Sequence, residues 1–341
     1  GRSKARAKDS IRIDFPVYDS YMVGLFEQGL IEGKWVVNYK ENYEIPFIAR
    51  YGENHRFTTV PKPTTIDLTG TWEVLFEDEN SSYPGIGEFK QEGNQVTGTF
   101  RTETGDYRFL EGQISDRKLY MSVFDGSHAF LFEAQIEADG DEMVGFFRSG
   151  THYRSIWTAK RNAAAQLTSP NELTQATAAD QRFNFSFLDT NGDSIRLTDA
   201  AFDDKVKLVQ IMGTWCPNCR DETTFLVDYL KNNSHPDLAV IGIGFERYRQ
   251  EERALAALKR YQDQLDIPYP LLWGGYYNKS EATAALTGLD KVISYPTLLF
   301  IDRNNRIRKI HTGFNGPATS KFAAFQEEFK TTLATLLAEG K

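Results

Sequence analysis

The sequence has little cysteine, no long apolar run and no excess of basic residues. Only two of its 341 residues are cysteine, too few for the disulfide network of a small stapled domain. No stretch approaches the roughly 18 consecutive apolar residues that a membrane-spanning helix needs. The net charge of -8 argues against nucleic-acid binding, because that function normally requires a basic surface. What remains is a globular protein that must fold around large apolar cores.

The first half of the chain reads as an all-β region. A chain of this length exceeds the usual size of one core, so we expect two domains. Between Thr69 and Lys160, about eight short apolar segments alternate with turn dipeptides such as Asp125-Gly126. This spacing is typical of an antiparallel meander, which can close as a barrel or pack as a sandwich. The meander is expected over 66–161.

The regions around the meander are less regular. Residues 11–60 favour extended structure and predict accessory hairpins of the same β-rich domain, which therefore spans 11–161. Residues 1–10 form a short basic end without an apolar run and are expected to be disordered. Residues 162–181 are small, polar and poor in aromatics, as a linker should be.

From residue 182 the pattern changes to alternating strands and helices. The apolar segment VKLVQIM (206–212) predicts a central strand that is buried on both faces. Helical periodicity follows it and recurs to the end of the chain, with a strand pair near 297–312. An α/β domain is therefore expected over 182–341.

Both cysteines lie in the segment GTWCPNCRDE, residues 213–222. A structural zinc site needs four ligands, and the five histidines are scattered, so we expect no metal and no other cofactor. A structural disulfide here would close so short a loop that it stabilises by only about 2 kcal/mol. A redox pair fits better, because Pro217 predicts a helix start whose amide groups stabilise a thiolate at Cys216. Cys216 is then expected to be exposed and Cys219 enclosed.

The segments VKLVQIMGTWCPNCRDE and ISYPTLLFID together resemble the TlpA/ResA-like thiol–disulfide oxidoreductases of bacterial envelopes, which have a thioredoxin fold. The resemblance covers about residues 182–341. It implies that Cys216 attacks a disulfide and that Cys219 resolves the mixed disulfide. It also implies that Pro296 is a cis-proline facing the pair, and that Tyr295 offers backbone hydrogen bonds to a substrate chain.

The same resemblance assigns roles to residues beside the pair. Glu222 matches a family glutamate that assists proton transfer, although a solvated acid in the first helical turn explains it equally well. Trp215 and Pro217 are expected to contact the substrate. Gln210 stands where thioredoxins carry a buried Asp; this residue departs from thioredoxin and agrees with the envelope group. The pair Pro217-Asn218 differs from the residues usual between the cysteines, which leaves the direction of electron flow open.

The resemblance implies an enzyme that exchanges disulfides in exported proteins, most consistently as a reductase supplied by an upstream electron-donor protein. The expected location is the periplasm or outer envelope, with the signal segment absent from this chain and membrane contact only through an anchor outside it. A thiol peroxidase is an alternative, but Thr214 lies two residues before Cys216 rather than three. A ligand-binding or partner-binding β domain is another, and an open apolar cavity in the meander would favour it.

Overall fold

The N-terminal segment forms a four-stranded antiparallel sheet. The computed structural model describes residues 9–233 and 235–340. Consecutive strands pair in the order β1–β2–β3–β4, over Asp9–Phe15, Ser20–Glu27, Leu30–Val37 and Glu44–Arg50. Asp9 and Ser10 pair with Phe26 and Leu25. The expectation of disorder is therefore wrong for these two residues, because backbone pairing fixes them, and its remainder at 1–8 lies outside the described residues.

The meander closes into a barrel of eight antiparallel strands. Its order is β5–β6–β7–β9–β10–β11–β12–β13, with β13 paired back to β5, and a two-residue strand β8 extends β7. The strands β5 to β13 span Gly70–Glu77, Ser82–Glu92, Gln95–Thr102, Gly105–Asp106, Leu110–Ser115, Lys118–Phe124, Ala129–Ile136, Glu142–Ser149 and Tyr153–Arg161. The alternative of an open sandwich is thereby excluded.

Aromatic side chains fill the barrel interior. Phe100 and Phe132 stack with ring centroids 4.6 Å apart, and Phe132 stacks on Phe147 at 4.5 Å. Trp72 and Trp157 lie fully buried in the same cluster. Alternation along each strand sends these side chains inward, so the barrel has a packed core. This filled interior favours a structural or docking role over ligand capture.

The C-terminal half has the α/β thioredoxin fold expected from the alternation. Its seven strands are ordered β15–β14–β18–β17–β16–β19–β20. Strands β14 to β20 span Ser186–Asp189, Ser194–Arg196, Val206–Met212, Leu238–Glu246, Leu271–Tyr276, Thr297–Ile301 and Ile307–Thr312. Helices α1 to α4 span Pro217–Asn232, Glu251–Gln264, Lys279–Ala285 and Phe322–Ala338. Strands β16, β17 and β18 are parallel, and β19 is antiparallel to β16.

The segment between the two domains is tied to the thioredoxin fold. Ala176 forms an isolated bridge with Leu289, and the Thr312 amide donates to the Pro170 carbonyl at 2.9 Å. Leu173 is buried. The segment 162–181, predicted as a linker, thus lies along the thioredoxin-like domain that follows it. No helix among residues 9–233 and 235–340 is long and apolar enough to cross a membrane.

Candidate functional site

The two cysteines lie where the central strand β16 meets helix α1. The Cys216 side chain caps the helix: its Sγ accepts a hydrogen bond from the Cys219 amide at 3.3 Å. Pro217 occupies the first helical turn, where its missing N–H costs nothing. Neither thiol is in a disulfide. The geometry therefore places one sulfur at the positive end of the helix dipole and the other one turn further on.

Cys216 is far less exposed than the sequence indicates. Its relative exposure is only 6% and that of Cys219 is zero. The Tyr295 carbonyl accepts from the Cys216 thiol at 3.4 Å, and the Tyr295–Pro296 peptide bond is cis. Loops of the barrel also lie against Cys216 around a shared cavity. The expectation of an exposed Cys216 is wrong because a second domain covers this face of the thioredoxin fold.

Glu222 lies in the core behind the cysteines and is fully buried. The Gln210 side-chain amide donates to Glu222 Oε2 at 2.8 Å and to the Cys219 carbonyl at 3.3 Å. Burial raises the pKa of Glu222 to about 8, with the Gln210 hydrogen bond opposing that shift. The alternative of a solvated first-turn acid is therefore excluded. A carboxyl that titrates near neutral pH can exchange a proton with a neighbouring thiol.

The thiol of Cys219 is also held in its neutral form. Burial is the main cause that raises the Cys219 pKa, followed by the hydrogen bond and charge of Cys216, and the charge of Glu222 acts in the same direction. Because desolvation disfavours the thiolate, Cys219 needs a proton acceptor before it can act as a nucleophile. Glu222 in its ionised form, which is the minor form at neutral pH because its pKa is about 8, is such an acceptor.

A second buried carboxylate, missed at the sequence level, supports the loop before Cys216. Glu246 Oε1 accepts from the Thr214 amide at 3.0 Å, and Oε2 accepts from the Thr214 hydroxyl at 2.7 Å. Burial raises the pKa of Glu246 to about 7 despite these hydrogen bonds. Its position at the carboxyl end of β17 was the available signal, since functional groups gather at that edge of α/β sheets.

Trp215 packs at the rim of the site. Its indole N–H donates to the Phe245 carbonyl at 3.0 Å, and its ring meets that of Tyr295 edge-on at 5.7 Å. The Arg247 guanidinium lies 4.3 Å from the Trp215 ring centroid, a cation–π contact. These contacts fix the indole beside Cys216.

The barrel covers this rim through the loop Thr102–Arg108, which we call the barrel hairpin. The Asp106 carbonyl accepts from the Asn218 side chain at 3.2 Å, and Arg108 donates to the Pro217 carbonyl at 3.1 Å. Trp215 is engaged as well, because its carbonyl accepts from the Ser127 hydroxyl at 2.7 Å. A cavity of about 260 Å³ remains between the domains, and Cys216 lines it.

The structure thus brings the predicted residues to one place. Cys216, Trp215, Pro217 and Tyr295 line the cavity, whereas Cys219 and Glu222 lie behind it. Among the residues that the structure describes, no group of three or more His, Cys, Asp or Glu side chains could hold a metal ion. The chemistry available at the cavity is that of thiols and carboxyls.

Comparison with known proteins agrees with this arrangement. Residues 178–310 match the model of the AhpC/TSA family. The thiol:disulfide interchange protein DsbE of Escherichia coli (strain K12) is 30% identical over 179 residues, which cover 51% of this chain and 83% of that protein.

Solved structures give matches over about half of the chain. A secreted thiol-disulfide isomerase from Corynebacterium glutamicum has a TM-score of 0.38 and 18% identity, covering 52% of this chain and 99% of that one. A thioredoxin-family thiol:disulfide interchange protein from Chlorobium tepidum TLS has a TM-score of 0.35 and 20% identity, covering 48% and 100%.

The DsbE relative is matched over 83% of its length, and the segment that matches the AhpC/TSA model, residues 178–310, contains both cysteines. The chain therefore belongs to the thioredoxin-fold redoxin family and is a protein thiol–disulfide oxidoreductase.

Proposed function

We propose that Cys216 and Cys219 are the redox pair and that the protein reduces disulfides of exported proteins outside the cytoplasm. The observation that carries the proposal is the position of Cys216 as the cap of helix α1, with the Cys219 amide donating to its sulfur. Amide groups at a helix start stabilise a thiolate, which is the attacking species in disulfide exchange. The envelope location follows from the resemblance noted in the sequence.

The reaction proceeds in two exchanges. The Cys216 thiolate attacks one sulfur of the substrate disulfide; a mixed disulfide forms, and the other substrate sulfur leaves as a thiolate that takes up a proton. Cys219 then passes its proton to the ionised form of Glu222 and attacks Cys216 Sγ. The second substrate thiol is released, and the Cys216–Cys219 disulfide is left behind. A dithiol electron-donor protein restores the reduced pair by the same exchanges in reverse.

We assign to the surrounding residues the roles that the sequence suggested. Tyr295 and Pro296 form the wall opposite the pair, where the Tyr295 carbonyl already accepts from the Cys216 thiol. Trp215 and Pro217 present backbone carbonyls at the rim. A peroxidase is less well supported, because the Thr214 hydroxyl is committed to Glu246 rather than free to bind a peroxide.

Replacing Cys219 by Ser tests the mechanism directly. The Cys219→Ser variant lacks the resolving thiol, so substrates with disulfides should accumulate as covalent adducts on Cys216. The measurement is mass spectrometry of the variant after incubation with insulin, under non-reducing conditions. The Cys216→Ser variant is the matched control and should form no adduct; equal adduct formation by both variants, or by neither, contradicts the proposed roles.

A further inference from the structure

We propose that the barrel hairpin (Thr102–Arg108) determines which disulfides reach Cys216. In the arrangement observed it occupies the face on which a protein substrate must dock, so protein disulfides react only after the hairpin withdraws. Small disulfides reach Cys216 through the cavity without that movement. This inference rests on the proposed function, because it concerns substrate selection by the same pair of cysteines.

The hairpin makes hydrogen bonds to the groups around the cysteines to which a docked substrate chain would bind. The Thr104 carbonyl accepts from the Ser294 hydroxyl at 2.8 Å, next to Tyr295. Arg108 pairs with Asp221 at 2.8 Å in addition to its bond to the Pro217 carbonyl. The hairpin therefore binds on both sides of Cys216 and competes with any chain that approaches it.

The hairpin also approaches too closely for a polypeptide to pass between the domains. A Cβ atom added at Gly105 would lie 2.0 Å from the Asn218 side-chain nitrogen. On the opposite side, a Cβ added at Gly313 would lie 2.9 Å from the Glu103 carbonyl oxygen. Neither position has room for a substrate backbone, whereas the cavity beside Cys216 leaves space for a small molecule.

The contact between the hairpin and the thioredoxin-like domain is polar and can therefore open. The apolar cluster inside the barrel takes in no described residue of the thioredoxin-like domain. The hairpin instead contacts that domain through hydrogen bonds and one ion pair, including the Gly316 amide, which donates to Asp106 Oδ2 at 2.6 Å. Polar interfaces between domains of one chain behave like transient protein–protein contacts, and water replaces their hydrogen bonds when they open.

The test compares two disulfides of different size. The reduced full-length protein and its Arg108→Ala variant are mixed with insulin or with 2-hydroxyethyl disulfide, and oxidation of the dithiol is followed by acid quench, alkylation and mass spectrometry. We expect Arg108→Ala to raise the ratio of the insulin rate constant to the hydroxyethyl disulfide rate constant by roughly tenfold. This factor corresponds to a loss of about 1.4 kcal/mol in the contact between the hairpin and the thioredoxin-like domain.

Controls separate this proposal from the proposed function. Arg148→Ala removes an ion pair with Glu133 on the barrel surface and should leave both rate constants unchanged. Ser294→Ala, which removes the hydrogen bond to the Thr104 carbonyl of the hairpin, is the second test variant if Arg108→Ala does not fold. If the variants at the hairpin contacts change both rate constants by the same factor, or change neither rate constant, the hairpin proposal is overturned. If the wild-type protein reacts with neither disulfide, the proposed function fails instead.

Discussion

At the scale of single residues, the site depends on two buried carboxyls whose pKa values are raised to near neutral pH. Glu222 is engaged by Gln210, and its Oε1 has no hydrogen-bond partner within the described part of the chain. Glu246 is engaged by Thr214. Both have raised pKa values, about 8 and about 7, chiefly because burial disfavours the charged form.

The raised pKa of Glu222 sets a pH dependence of stability. Unfolded glutamate has a pKa near 4.5, so between pH 4.5 and about 8 the folded state holds a proton that the unfolded state has lost. The contribution of this proton to the free energy of unfolding is therefore fully present below pH 4.5 and decreases as the pH rises through this window. Glu222→Gln, which cannot ionise, should gain stability over wild type as the pH rises, by up to ~1.4 kcal/mol per pH unit.

Urea unfolding of both proteins at pH 5, 6, 7 and 8 measures this difference in the free energy of unfolding. Glu142→Gln, at an exposed ion pair with Lys160, is the matched control and should show no such trend. A Glu222→Gln difference that stays constant from pH 5 to 8 would mean that Glu222 is ionised throughout this range, which contradicts a pKa raised to about 8 by burial.

The residue scale also shows where sequence reasoning was limited. The pair Cys216 and Cys219 could be identified because spacing, a preceding buried strand and Pro217 are local features. The burial of Cys216 could not, because the covering residues Thr104 and Ser127 come from another domain about a hundred positions away. Glu246 escaped notice for a similar reason: its partner Thr214 lies on a neighbouring strand end, and no local pattern joins them.

At the scale of elements, the barrel and the thioredoxin fold each have their own apolar core. The barrel cluster is built largely of aromatic rings such as Phe100, Phe132 and Phe147. The other cluster is centred on β16 and its neighbours. Strand alternation and turn dipeptides made the eight strands predictable; closure into a barrel was not, because pairing of β13 with β5 joins residues far apart in sequence.

Separate cores predict separable unfolding. Phe132→Ala removes a fully buried ring and should destabilise the barrel by about 3–5 kcal/mol. The thioredoxin-like domain should keep its stability, so chemical denaturation should show the barrel transition moving to lower denaturant while the second transition stays in place. Phe146→Ala, an exposed aromatic on the adjacent strand, should have little effect. A single transition that shifts as a whole would show that the domains unfold as one unit.

At the scale of the whole molecule, the β-rich half covers the cysteine pair of the thioredoxin-like domain. Strand β16 and helix α1 set the cysteines at the sheet edge, and the barrel hairpin closes over them. The four-stranded sheet contacts both domains: Tyr248 donates to Asp19 at 2.5 Å, and the Ser20 hydroxyl donates to the Gly126 carbonyl. The change from an all-β to an α/β pattern was readable from the sequence, but this contact between the domains was not, because it is made of scattered polar residues.

The central claim is that Cys216 and Cys219 form a dithiol that donates electrons. It is tested most directly by the reduction potential of this pair in the full-length protein, measured by equilibration with dithiothreitol buffers and alkylation of the free thiols. We expect a value near that of a thioredoxin-like reductant, about -270 mV. A value near about -120 mV, that of a strong oxidant, would contradict it.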